Sequence, residues 1–328
     1  MTCIISFGAE QYQNCLFNVH VERNVVYAEN VPHLAKKHFI TTLALGLNSP
    51  SGEKNNLHFF QNAEETVDGV LNADIYSPKR DSTKKRPLII VVHGGAFVAG
   101  SKDDYKQAAN VFCDSLAARG YVVASIDYRK GLVLKNKGYQ LFIDSLDVKR
   151  AIQWGVQDLQ KAIQYFRLNA ENYKIDSEKI FVIGGSSGAL IALHYLTKED
   201  AKVKAVISLW GATISKDLIN KMTVPILLVH GTNDEIIPFK EGRMMNLDSI
   251  KEQNQFTHGY ASVAVAFNII FSSPIFYGSY VIDSVLSKHH VAHETYFVEN
   301  EGHEFCDREP YKTDLLNRIV RFLHKFMD

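Results

Sequence analysis

The sequence predicts an α/β fold, a mainly parallel sheet covered by helices on both faces. Three observations lead there. Short apolar runs recur, such as Leu88–Val92 ("LIIVV") and "VPILLVH" from Val224, and they suit strands buried on both sides. Segments of helical period, such as residues 144–168, lie between such runs. Turn residues punctuate the alternation, as in "SPKRDSTKKRP" from Ser77. Strand–helix alternation of this kind implies parallel strands joined by helical crossovers.

Taken in order, "VLNADIY" (Val70–Tyr76) alternates like a half-buried strand, and "LIIVV" follows as a buried one. "DDYKQAANVFCDSLAARG" has helical spacing, with Ala108, Val111, Phe112 and Leu116 near one face and Gly120 as the stop. "YVVASIDY" is again a strand, and Asp144–Leu168 a long helix. "DSEKI" from Asp176 reads as a turn into the strand "IFVIG", and a helix runs from Ser187 to about Leu196. "VKAVISL", "VPILLVH" and "HETYFV" are three more strands, and Pro310–Met327 closes the chain with an amphipathic helix. The whole is expected to be one domain over residues 1–328, with an N-terminal extension over about 1–64. The connection over about 240–290 is long, and its apolar, aromatic stretch from Tyr260 is either a further core helix or a lid or pocket wall.

The 328 residues carry 36 basic and 36 acidic side chains, so no basic excess points to nucleic acid. No apolar run reaches the length of a transmembrane helix. The start, "MTCIISFGAEQYQNC", lacks a basic n-region and a long apolar core, so the chain as it stands reads as cytoplasmic. An exported chain trimmed of its leader and given a methionine would look the same. Four cysteines without a CxxC pair speak against structural zinc; Cys3 and Cys15 could form a short-loop disulfide if the protein is exported, and four free thiols are the other reading.

Chemistry concentrates in "IFVIGGSSGALIAL", Ile180–Leu193. Gly184–Gly188 matches G-x-S-x-G with Ser186 at its centre, between a buried strand and a helix. That is the setting of a nucleophile elbow. A serine hydroxyl needs a base, and the base needs an orienting carboxylate. "ILLVHGTNDEIIP" supplies Asp234 after one strand, with Glu235 as a rival, and "ETYFVENEGHEF" supplies His303 after another. His289, His290 and His293 precede or begin that strand and are poorer candidates. "LIIVVHGGAFVAGS" places a small-residue loop after an early strand, where the N–H groups of Gly95 and Ala96, with that of Ser187, could face a substrate oxyanion. His93 is read as shaping this loop, Cys113 as core, and Asp127 and Arg129 of "IDYR" as an ion pair that braces it.

In their order, "LNADIYSP", "HGGAFVAGSKDD", "RGYVVASIDYR", "GGSSGA", "HGTNDEIIP" and the "GH" at 302–303 resemble the carboxylesterase and lipase type of α/β-hydrolase from about residue 65 onward. Ala96 departs from the third glycine often found in that family's loop, but keeps its backbone N–H. The resemblance implies an α/β-hydrolase fold, a small-molecule ester as substrate, and no metal or organic cofactor. Ser186 would be nucleophile, His303 base and Asp234 its partner. Three other readings stand beside it. One is a carbohydrate esterase of acetylxylan or feruloyl type. Another is a serine peptidase of prolyl-oligopeptidase type, for which the chain before Leu88 is too short to hold a propeller. The third is a non-catalytic binding protein on the same scaffold.

Overall fold

The computed structural model describes residues 12–34, 60–61, 66–104, 108–137, 140–244 and 270–327. Its main sheet has eight strands. They are β1 Val19–Leu34, β2 Thr66–Pro78, β3 Arg86–Val92, β4 Val122–Ile126, β5 Ile175–Gly185, β6 Ala205–Leu209, β7 Ile226–Gly231 and β8 His293–Val298. Their order across the sheet is β1-β2-β4-β3-β5-β6-β7-β8. β2 runs antiparallel to both β1 and β4, and every other pairing is parallel.

Parallel neighbours need crossovers, and helices supply them. α1 (Cys113–Ala117) joins β3 to β4, α2 (Ser145–Leu168) joins β4 to β5, and α3 (Ser187–Tyr195) joins β5 to β6. α4 (Lys216–Ile219) and α5 (Ser279–Lys288) flank β7, and α6 (Tyr311–Lys325) follows β8. β3 shows how the layers form. Its residues are buried throughout, and their side chains alternate between the two faces. Leu88, Ile90 and Val92 join a core with Ile152 and Leu159 of α2 and Leu190 of α3. Ile89 and Val91 join a second core with Phe112, with Leu116 of α1, and with Ile319 and Leu323 of α6. Burying each such aliphatic side chain stabilises the fold by about 1.5–3 kcal/mol.

Some elements depart from the sequence reading. β1 was not expected, although it is the longest strand. Its pairing with β2 shifts register at three places, and Asn24 and Asn30 have φ of 58° and 52°. Those breaks scramble the period-two pattern by which a strand is recognised. The turn expected at "DSEKI" exists as a bulge inside β5. Arg86 pairs with Ile175 and Leu88 with Ile180, while Asp176 Oδ1 accepts from the Glu178 N–H at 3.0 Å. The helix expected before Gly120 is instead a 3-10 turn, Ala108–Phe112, followed by the short α1. No side chain caps the start of α1, and Gly120 ends the segment with φ 111°.

The lid or pocket wall expected over 240–290 lies outside the described residues from 245 to 269. The described remainder is not one core helix. Glu241–Arg243 and Ile275–Gly278 pair antiparallel in a small separate sheet, and α5 begins directly after it. Cys3 and most of the expected N-terminal extension also lie outside the described residues.

Candidate active site

The sequence places Ser186, Asp234 and His303 far apart, and the fold brings them together at the C-terminal ends of β5, β7 and β8. Ser186 forms the corner between β5 and α3 with φ 54° and ψ −119°. A serine in that region costs of order 1–3 kcal/mol and persists only where the surroundings impose it. Here its N–H donates to Leu209 O of β6 at 2.8 Å, and its carbonyl accepts from the Ala189 and Leu190 N–H groups of α3. Close packing completes the corner. A Cβ added to Gly188 would stand 2.1 Å from Val92 O, and one added to Gly184 would stand 2.3 Å from Gly188 O. Only glycine at both positions lets α3 start this near β3.

His303 lies on the loop after β8, which is tied to the loop after β7. The Asn233 N–H donates to Glu301 O, and the Asn300 N–H to Thr232 Oγ1, each at 2.9 Å. His303 Nδ1 is 2.7 Å from Asp234 Oδ2, and its Nε2 is 2.9 Å from Ser186 Oγ. A carboxylate can only accept, so Nδ1 carries the hydrogen and Nε2 is free to accept from the serine. Trp210, in left-handed conformation with φ 54°, packs its ring 5.6 Å from the imidazole. Asp234 is the carboxylate that accepts from His303 Nδ1, and Glu235, its rival, acts on His303 as a neighbouring charge. His293 lies at the opposite end of β8, paired with Asp283 at 3.0 Å.

The electrostatics favour this arrangement. Burial alone would raise the Asp234 carboxyl. The charge of His303 and hydrogen bonds from His230 and His303 outweigh burial and hold it well below the usual carboxylate range. Burial alone would lower His303. The charge and hydrogen bond of Asp234, with Glu304 and Glu235 beyond, raise it above its usual value of 6.5. Asp307 stands on the rim beside His303 with its side chain reaching solvent; crowding by the loop and the neighbouring Glu304 push it up to about 7.

The loop after β3 approaches from the other side. Gly95, Ala96 and Phe97 have φ of 109°, 51° and 60°, which curls three successive peptides into a tight turn. The Val98 and Ala99 N–H groups both close onto Gly95 O, at 3.0 and 2.9 Å. Among the described residues, the Gly95 and Ala96 N–H groups enter none of the backbone hydrogen bonds of this turn. Ser187 begins α3, so its N–H belongs to the unsatisfied first turn of that helix.

His93 behaves as a structural residue. It is buried, its Nδ1 faces Gly94 O at 2.6 Å, and burial takes its pKa down to about 3. Asp127 and Arg129 do not pair, contrary to the sequence reading. Arg129 forms a two-point ion pair with the buried Asp158 of α2, its own N–H donates to that carboxylate, and its guanidinium lies over Trp154. Asp127 instead accepts from the Lys102 N–H at 2.9 Å. The chain leaves β4 at Ile126, so the two side chains are no longer held on one strand face, and α2 offers Arg129 a better-shaped partner.

Two supports escaped sequence reasoning. Tyr128 stacks on His93 with centroids 4.4 Å apart, and its hydroxyl lies 2.9 Å from Ser187 Oγ and 3.2 Å from His93 O. It thus links the loop after β3 to the elbow. Lys102 is buried with its ammonium 3.0 Å from Asp74, and this anchors the far end of the same loop. The "DYR" and "SKDD" strings carried both residues, but nothing in them gives the partner.

Comparisons with known proteins agree with this architecture. The family model described as BD-FAE matches residues 73–213. Esterase-5A of Drosophila persimilis is 27% identical over 158 residues, which is 47% of this chain and 26% of that protein. Esterase LipC of Mycobacterium tuberculosis is 28% identical over 219 residues, covering 52% of this chain and 50% of that one. The chain therefore spans about a quarter to a half of the length of these relatives. Among solved structures, apo Thermogutta terrifontis esterase 2 superposes with a TM-score of 0.53 at 17% identity, over 84% of this chain and 96% of that one. MGS-M1, an α/β hydrolase from a deep-sea metagenome library, gives 0.51 at 16% identity, over 79% and 93%. The elbow, the strand order and these likenesses together show that the chain has the α/β-hydrolase fold and is similar in sequence to esterases over part of its length.

Proposed function

We propose that the protein is a serine carboxylic-ester hydrolase. One observation carries the reading: His303 bridges Ser186 Oγ at 2.9 Å and Asp234 Oδ2 at 2.7 Å. In the proposed reaction Ser186 Oγ attacks the ester carbonyl carbon while His303 Nε2 takes the serine proton. The carbonyl oxygen becomes an oxyanion facing the N–H groups of Gly95, Ala96 and Ser187. Preorganised donors of this kind are worth about 3–4 kcal/mol each in acyl transfer. Collapse of the tetrahedral species breaks the bond to the alcohol oxygen, and His303 returns the proton to that alcohol. Water then attacks the acyl-enzyme with His303 as base, releasing the carboxylic acid and restoring Ser186. Asp234 holds the imidazole in the required tautomer and stabilises its cationic form.

The buried carboxylate, with all its acceptors engaged, supports a catalytic reading over a binding protein on the same scaffold. The test is hydrolysis of p-nitrophenyl acetate together with labelling by a fluorophosphonate. Ser186→Ala is expected to abolish both, and retention of activity in that variant would refute the proposal. A panel from acetyl to long acyl esters, with acetylated and feruloylated sugars, reads the acyl and alcohol preference.

A further inference from the structure

Asp234 is held by more than its histidine partner in the site. Its Oδ1 accepts from the Ile236 and Ile237 N–H groups, both at 2.9 Å. Its Oδ2 is shared between His303 Nδ1 at 2.7 Å and a second imidazole, His230 Nε2, at 3.1 Å. His230 is the penultimate residue of β7, and its side chain and that of Asp234 are both 0% exposed. Nε2 of His230 also faces Ile237 O at 3.1 Å, so both neighbours of that nitrogen are acceptors and it must carry a hydrogen. On its other side Nδ1 lies 2.8 Å from Oγ of Ser279, the first residue of α5, and the ring packs against Phe239. A chain of close polar contacts therefore runs from α5 through Ser279, His230, Asp234 and His303 to Ser186, with the His230 Nε2–H divided between Ile237 O and Asp234 Oδ2. Stereochemistry alone does not require the far half of that chain, since two backbone N–H groups already anchor Oδ1.

Resting on the ester-hydrolase reading of the site, we infer that His230 is a positioning residue which fixes Asp234 Oδ2 and sets how strongly it pulls on His303. Its N–H draws part of the carboxylate's charge away from His303. Removing that donor leaves more negative charge facing Nδ1, so the imidazolium of His303 becomes easier to form and its titration moves up. It also takes away one of the two groups that hold Oδ2 in place, and misplacement of a catalytic group by an ångström can cost about 100-fold in rate. Among the described residues, the charged groups that face His303 are Asp234, Glu235, Glu304 and Asp307, and the one against His230 is Asp234, beside the neutral Ser279 and Phe239.

The experiment follows the His303 ring by NMR in histidine-labelled protein across pH, together with kcat and KM on p-nitrophenyl acetate. His230→Phe is expected to raise the His303 titration by about half to one pH unit. It should also lower kcat about 10-fold or more with KM little changed. His230→Gln, which keeps an N–H near the position of Nε2, is expected to return both toward wild type. His230→Asn, whose shorter amide cannot reach Asp234, should behave like the phenylalanine variant and serves if that one does not fold. An unshifted His303 titration, or equal losses in the glutamine and phenylalanine variants, overturns the inference. The ring titration needs no turnover, so an inactive wild type with a shifted ring refutes the ester-hydrolase reading, whereas an active wild type with an unshifted ring refutes this one.

Discussion

Gly188→Ala is expected to disable the site without touching a reacting atom. The added Cβ would lie 2.1 Å from Val92 O and 2.6 Å from His93 O, and contacts of a real Cβ essentially never fall below 3.0 Å. Both obstacles are backbone, so α3 must retreat from β3 by about 0.9 Å or its first turn must unwind. Ser186 precedes that turn, and Ser187 N–H lies within it. The 2.9 Å contact between Ser186 Oγ and His303 Nε2 has only a few tenths of an ångström to spare before it leaves hydrogen-bond range. We expect kcat on p-nitrophenyl acetate to fall by about 100-fold, with fluorophosphonate labelling slowed in proportion. Overpacking should also cost about 1–3 kcal/mol of stability, seen as a lowered Tm. Gly242→Ala is the control, since among the described residues its Cβ would meet the Pro238 side chain alone, at 3.2 Å. A Gly188→Ala enzyme with kcat within twofold of wild type and the same Tm would refute the packing argument.

Two further outcomes are expected. In the proposed reaction His303 acts as a base only when neutral, and Asp234 raises its pKa above 6.5; the rising limb of kcat/KM against pH should therefore lie above 6.5, which a pH–rate profile checks. Asp307 nearby is also pushed up, to about 7, and Asp307→Asn separates its contribution from that of His303. Tyr128→Phe removes the hydroxyl between Ser187 Oγ and His93 O and leaves the buried serine hydroxyl short of a partner. It should cost about 1–3 kcal/mol in thermal unfolding. If the tyrosine holds the oxyanion loop in place, kcat should fall while KM stays near wild type.

The parallel sheet and the places of Ser186, Asp234 and His303 were legible along the chain. Those features follow from local rules. Buried strands read as continuous apolar runs, and each candidate residue stands on a turn directly after its own strand. "GGSSG" also announced its own packing, because glycine at Gly184 and Gly188 is required by contacts within one strand–turn–helix unit and the strand beside it. Tertiary structure decided what depends on partners distant in the chain. β1 escaped detection because its bulges and two left-handed asparagines erase the alternation that marks a strand. The partner of Arg129 could not be read from "DYR", since Asp158 is 29 residues away on a helix face. His230 looked like the last residue of an apolar strand in "ILLVH". Only the fold places its two ring nitrogens between Asp234 and Ser279, which lies 49 residues further along. A side chain's chemistry is written in the sequence, but the direction of its hydrogen bonds is set by which distant backbone the sheet brings beside it.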